Sequence, residues 1–186
     1  MPLLIRLARS PRRTAHTSRY LIALFALATG LLSGQAIANA QSLARPTAEV
    51  LLTVSGDIAR TNRDGAMAFD RQMLKALPQT SFTTSTIWTK GTHRFTGVKL
   101  ADLLTAVQAE GDTLIATALN DYEVSMPLDE VRNGALVAYA MDGEAMSVRD
   151  KGPLWLVYPY DADPSYQSET IYARSIWQLH RIHVED

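Results

Sequence analysis

The chain contains no cysteine. Disulfide staples, thiol nucleophiles, iron–sulfur ligation and zinc–thiolate sites are therefore excluded from its chemistry. A long hydrophobic run is missing too. The most apolar stretch, residues 20–32, is 13 residues long, short of the roughly 20 that a membrane-spanning helix needs. Neither sign of charge dominates, with a formal net charge of −1, so there is no electrostatic footprint for nucleic acid or anionic lipid. The chain has no Gly-x-Ser-x-Gly elbow, P-loop, dinucleotide-binding glycine motif or His-Glu-x-x-His pair, which removes the commonest hydrolase, nucleotide-binding and zincin signatures.

What is present begins with the three parts of an export signal. Arg6, Arg9, Arg12, Arg13 and Arg19 precede the apolar run, and no acid occurs before Glu49. The small residues Ala38-Asn39-Ala40 follow it. These features predict a signal peptide over residues 1–40, cleaved near Ala40, and a periplasmic or secreted product with no membrane span. Cleavage leaves 146 of the 186 residues, keeps all 19 acids and removes five of the 18 basic residues, for a charge of −6. A domain of that length buries about 68–70% of its unfolded surface, enough for one core without staples. No repeat, low-complexity stretch or linker divides residues 41–186, which are expected to form a single domain.

Periodicity predicts an α+β fold with a mixed sheet and a few short helices. Val50 to Gly56 reads as a strand closed by glycine. Asp70 is a good N-cap for a short helix through Met73, Leu74 and Leu77, stopped by Pro78. Ser81 to Trp88 is the most β-like run, and Gly91 to Gly97 reads as a loop. Leu100, Leu103, Leu104 and Val107 share one helical face, and Gly111 is expected to end that helix. Short strands follow over Leu114–Leu119, Tyr122–Met126, Ala135–Met141 and Leu154–Tyr158, with a hairpin turn at Asp142-Gly143. Ile176 to Val184 is a closing strand in which alternation sets Trp177, Leu179, Arg181 and His183 on one face.

Three segments, in order, resemble the oxidoreductase molybdopterin-binding domain of the sulfite oxidase type. The first is Trp88 followed by Phe95-Thr96-Gly97-Val98-Lys99-Leu100-Ala101-Asp102-Leu103-Leu104. The second is Met141-Asp142-Gly143-Glu144-Ala145-Met146, then Lys151-Gly152-Pro153-Leu154-Trp155-Leu156-Val157-Tyr158-Pro159. The third is Ser175-Ile176-Trp177-Gln178-Leu179 with Ile182 and Val184. The resemblance implies a sulfite-oxidase-type fold and a molybdopterin cofactor whose metal is held by a cysteine just before the tryptophan. Four residues before Trp88 stands Thr84, whose neutral hydroxyl does not replace a soft thiolate. The family's phosphate-side His and Arg correspond to Lys151 and Trp155, and its basic residues before the closing Trp are matched only in part, by Arg174.

The expected cleft is therefore bounded by Thr84, Trp88, His93, Arg149, Lys151 and Arg174. Arg149, Lys151 and Arg174 are candidates for an anion pocket, or are surface cations paired with Asp150 or Glu169. Tyr158 and Tyr160 line a pocket for a flat ligand or pack the core. His180 and His183 are three apart and do not share a metal locally. Asp161, Asp163 and Glu169 meet no complete calcium-loop pattern, and no metal site is expected. These readings favour a module for a small anionic or aromatic ligand, or for a membrane sensor or redox partner protein. The alternative is an oxidoreductase that holds molybdopterin without a thiolate.

Overall fold

The computed structural model describes residues 44–131 and 134–186. The predicted signal peptide and its cleavage point lie outside the described residues. Among the described residues, no helix is long and apolar enough to cross a membrane.

Two five-stranded sheets share one core. The first has the order β2-β1-β10-β5-β6, from β1 (Val50–Gly56), β2 (Met67–Asp70), β5 (Thr113–Ala118), β6 (Glu123–Pro127) and β10 (Leu179–Glu185). Its pairings are antiparallel except for β1 with β10, which run parallel. The second contains β3 (Gln79–Ser85), β4 (Thr92–Lys99), β7 (Leu136–Met141) and β8 (Glu144–Ala145) in that order, with β9 (Trp155–Val157) also paired to β7. The mixed architecture with short helices is the expected one.

The helices start where the sequence caps them. Helix α1 (Arg71–Ala76) follows β2 directly, and the Asp70 carboxylate accepts the Met73 N–H at 2.9 Å. This satisfies one of the donors that a helix N-terminus leaves open. Helix α2 (Leu100–Val107) buries Leu100, Leu103, Leu104 and Val107, the predicted face. It ends at Gln108 in a left-handed conformation, three residues before Gly111. A helical turn, α3 (Leu128–Val131), follows β6, and α4 (Glu169–Arg174) precedes the last strand.

Three local expectations are corrected. The β-like run ends at Ser85, so Trp88 sits in the turn after β3 and not in the strand. The supposed glycine loop is strand β4. Gly97 lies within it because a Cβ there would stand 2.1 Å from the Val137 carbonyl oxygen on neighbouring β7, where the register also shifts. The closing strand does not keep one alternation. An irregularity between Leu179 and Arg181 returns Leu179 to the buried side with Ile182 and Val184, while Arg181 and His183 face solvent.

The segment before β10 joins the two sheets. Leu156 N–H donates to Ile176 O at 2.9 Å, and Leu179 N–H to Leu154 O at 3.0 Å. Leu119 N–H, at the end of β5, donates to Gln178 O at 3.0 Å. Turns from both sheets therefore meet around Trp177.

Candidate functional site

All three tryptophans of the chain meet at this junction. Trp155, on β9, is fully buried. Its ring stands nearly perpendicular to Phe95 (centroids 5.3 Å apart, 87°) and edge-on to Trp88 (5.8 Å) and Trp177 (6.3 Å). Trp88 also meets Tyr160, Tyr172 and Trp177 at 5.7–6.1 Å. Edge-to-face contacts of this kind set the positive ring edge against a negative face and add about 0.5–1.5 kcal/mol per pair beyond burial. The result is a rigid aromatic wall.

A cavity of about 340 Å³ opens against that wall. Trp88, Tyr172 and Trp177 line it, together with Ala118 at the end of β5 and with Asn120 and Tyr122 from the connection to β6; no charged residue is among those lining it. The exposed large hydrophobics gather here as well. Tyr122 and Trp177 are themselves lining residues, Ile87 and Leu119 adjoin lining residues in the chain, and the Val148 carbonyl accepts from Gln178 Nε2 at 2.7 Å. A larger, more open groove of about 870 Å³ lies by Arg45, Asn62 and Arg63, at the first described residues, and contains none of the predicted site.

The six predicted site residues divide between several places. Thr84 and His93 are opposite one another in the β3–β4 ladder. Thr84 is buried, and its Oγ1 accepts the Asp161 N–H at 3.0 Å while donating to Ser85 O at 3.2 Å. The Asp161 carboxylate in turn accepts from the Ser85 N–H at 2.5 Å and the Ser85 hydroxyl at 2.6 Å. Those bonds hold its carboxyl below the usual aspartate range. Asp163 is used locally, accepting the Ser165 N–H at 2.8 Å.

His93 is tied to the hairpin after β7. Its Nδ1 lies 2.6 Å from an Asp142 oxygen, and its Nε2 lies 3.0 Å from Lys90 O. The His93 bond and the Arg94 N–H (2.8 Å) keep the Asp142 carboxyl low. Lys151 joins the aromatic cluster, with its ammonium 5.8 Å from the Trp155 ring centre and 5.6 Å from that of Trp177. Arg149 is exposed in the short turn Val148–Asp150. Arg174 is engaged in an ion pair: its guanidinium lies 2.7 Å from Glu130, and neither Asp150 nor Glu169 is its partner. Trp88 and Lys151 thus converge on Trp177, while Arg174 belongs to a separate ion pair.

Tyr158 and Tyr160 lie beyond β9, their rings 6.4 Å apart, and both are core residues. The Tyr160 hydroxyl donates to Ser175 Oγ at 2.6 Å, and Ser175 passes a bond on to Ile171 O at 2.7 Å. Burial pushes the Tyr160 phenol up to about 12. Burial raises Tyr158 as well, against the pull of Arg174, and among the described residues its hydroxyl has no hydrogen-bond partner. Asn120 and Tyr122 escaped the sequence reading, because nothing in a two-residue turn marks it as facing a segment more than 50 positions away.

The residues that the family resemblance sets at the cofactor position do not fit molybdopterin. Thr84 offers a neutral oxygen already engaged on both sides, where molybdenum takes an ionised sulfur. Trp155, which the resemblance sets at the phosphate-side Arg position, is fully buried and gives its indole N–H to Ser175 O at 3.3 Å. Among the described residues, no cluster of three His, Asp or Glu side chains is placed to hold a metal ion.

The chain resembles the crystal structure of the sulfane dehydrogenase SoxCD from Paracoccus pantotrophus, with a TM-score of 0.58 and 19% sequence identity. That likeness is one of fold. It covers 78% of this chain and only 40% of the SoxCD chain, so this protein spans well under half of that relative's length. No curated protein sequence matches the chain. The sequence profile of one family, the oxidoreductase molybdopterin binding domain, matches residues 51–162, and the chain belongs to that family.

Proposed function

We propose that this protein is an exported ligand-binding module, built on the family's oxidoreductase fold, whose working site is the aromatic cavity between Trp88, Tyr122, Tyr172 and Trp177. One contrast carries the reading. The hydroxyl at the thiolate position is closed over by Asp161, while the exposed large hydrophobics of the described residues collect around a cavity of ligand size. The same apolar rim is where a membrane sensor or redox partner protein would dock once the ligand is bound. Family membership favours a second reading, an oxidoreductase that retains molybdopterin without a cysteine ligand.

One preparation separates the two. Protein recovered from the periplasm of cells expressing the full chain is analysed for molybdenum, then screened by thermal shift against small anions, aromatic compounds and pterins. A rise in Tm with an aromatic or anionic compound, without stoichiometric molybdenum, is the expected result. Stoichiometric molybdenum would replace this proposal with the oxidoreductase. No rise with any compound would refute the binding module.

A further inference from the structure

We infer that the ligand is an aromatic acid, its ring packed in the cavity against Trp88, Tyr172 and Trp177 and its carboxylate directed past Trp177 toward the Lys151 ammonium, which lies beside that ring and outside the lining itself. This inference rests on the binding reading above and goes further by fixing the ligand's charge.

The walls favour a flat apolar group. Trp88 meets Tyr172 at 90° and Trp177 at 89°, so the three rings that line the cavity form a right-angled corner. A slot of about 340 Å³ is at the small end of the range for ligand pockets and matches a single ring with a short substituent. Nothing lining it carries a charge that would repel or neutralise such a group.

The sign of the substituent comes from Lys151. Its backbone is fixed beside the wall, since Gln178 N–H donates to Lys151 O at 3.0 Å and the residue holds a left-handed conformation (φ 70°). Its ammonium rests over two tryptophan rings and is half-buried, yet among the described residues it has no carboxylate partner. The adjacent Asp150 accepts instead from Ser147 Oγ at 2.7 Å. Exposed Arg149 is likewise unpaired among the described residues. A partly desolvated cation without a counter-charge gains most from an incoming anion. A second cation in the slot would meet that charge across Trp177. An aromatic amine is therefore disfavoured where an aromatic acid is favoured.

The test compares phenylacetate, phenylacetamide and phenethylamine, which share a ring and differ in charge. Binding is followed by quenching of tryptophan fluorescence, because all three tryptophans belong to the cluster. Phenylacetate is expected to bind best, and Lys151→Gln to weaken it about tenfold while leaving phenylacetamide unchanged. With the unmodified protein, rising salt should weaken the acid and not the amide, a readout that does not depend on the variant folding. Equal binding of acid and amide, or preference for the amine, would overturn the charge assignment and leave the binding module standing. Failure of all three, alongside a thermal-shift hit of other chemistry, would overturn this inference alone. Failure of every compound in both experiments would remove the module as well.

Discussion

Thr84 Oγ1 accepts the backbone N–H of Asp161 at 3.0 Å, across 77 positions of chain. This one bond links the end of β3 to the loop after β9, and the Asp161 carboxylate returns two more bonds to Ser85. Thr84→Val keeps the shape and removes the acceptor, leaving the Asp161 N–H unanswered. A loss of about 1 kcal/mol in unfolding free energy is expected from urea denaturation. A neutral result would mean that the buried hydroxyl does no structural work.

Acid should loosen the fold at this contact and at three other aspartates. The carboxyls of Asp70, Asp142, Asp161 and Asp163 are all held below the ordinary 3.8 by hydrogen bonds made only in the folded state. Between the folded and unfolded values the unfolded chain binds more protons, so stability rises with pH there. The contribution is complete above about pH 4–5 and is lost as pH falls through the lowered values. Thermal melts from pH 7 down to pH 2 should show Tm falling mainly below pH 4. Asp161→Asn should lower Tm at pH 7 and flatten part of that fall. An unchanged acid limb would show that the Asp161–Ser85 bonds do not favour the ionised form.

Much of this architecture is legible in the sequence because the signals are local. The four apolar residues of α2 lie on one face whatever surrounds them, and Asp70 caps α1 with its own side chain. Strand β4 is hidden because Gly97, a residue that reads as loop, is needed for close approach to Val137, a fact about its neighbour. Helix α4 did carry readable marks: Ser168 as N-cap, Glu169 in its first turn and Arg174 in its last. The site divides in the same way. The family pattern marks Trp88 and Lys151, but their meeting on Trp177 depends on the backbone stitch between sheets. The pairing of Arg174 with Glu130 is equally non-local.

The two buried tyrosines predict opposite outcomes from one substitution. Tyr160→Phe breaks a hydrogen bond to Ser175 inside the core and should cost about 1 kcal/mol. Tyr158→Phe removes a hydroxyl with no partner among the described residues, so stability should hold within about 0.5 kcal/mol or rise. Chemical denaturation of both variants gives the comparison. A clear loss for Tyr158→Phe would reveal a partner for that hydroxyl.

Two glycines separate steric from conformational cost. At Gly97 the backbone is extended, but an added Cβ would stand 2.1 Å from Val137 O and 2.7 Å from Ala138 Cα. Backbone cannot yield as a flexible side chain does, so Gly97→Ala should force β4 and β7 apart and cost about 3 kcal/mol. Gly143 is the reverse case: its φ is +87° in the tight hairpin turn, and nothing lies within 4 Å of an added Cβ. Gly143→Ala therefore bears only the left-handed backbone penalty, about 1–2 kcal/mol. Because β4 carries Phe95 against Trp155 in the aromatic wall, Gly97→Ala should also shift the tryptophan emission of the folded protein, whereas Gly143→Ala should not. If the two variants melt alike and both keep the native emission, the close packing of β4 on β7 is refuted.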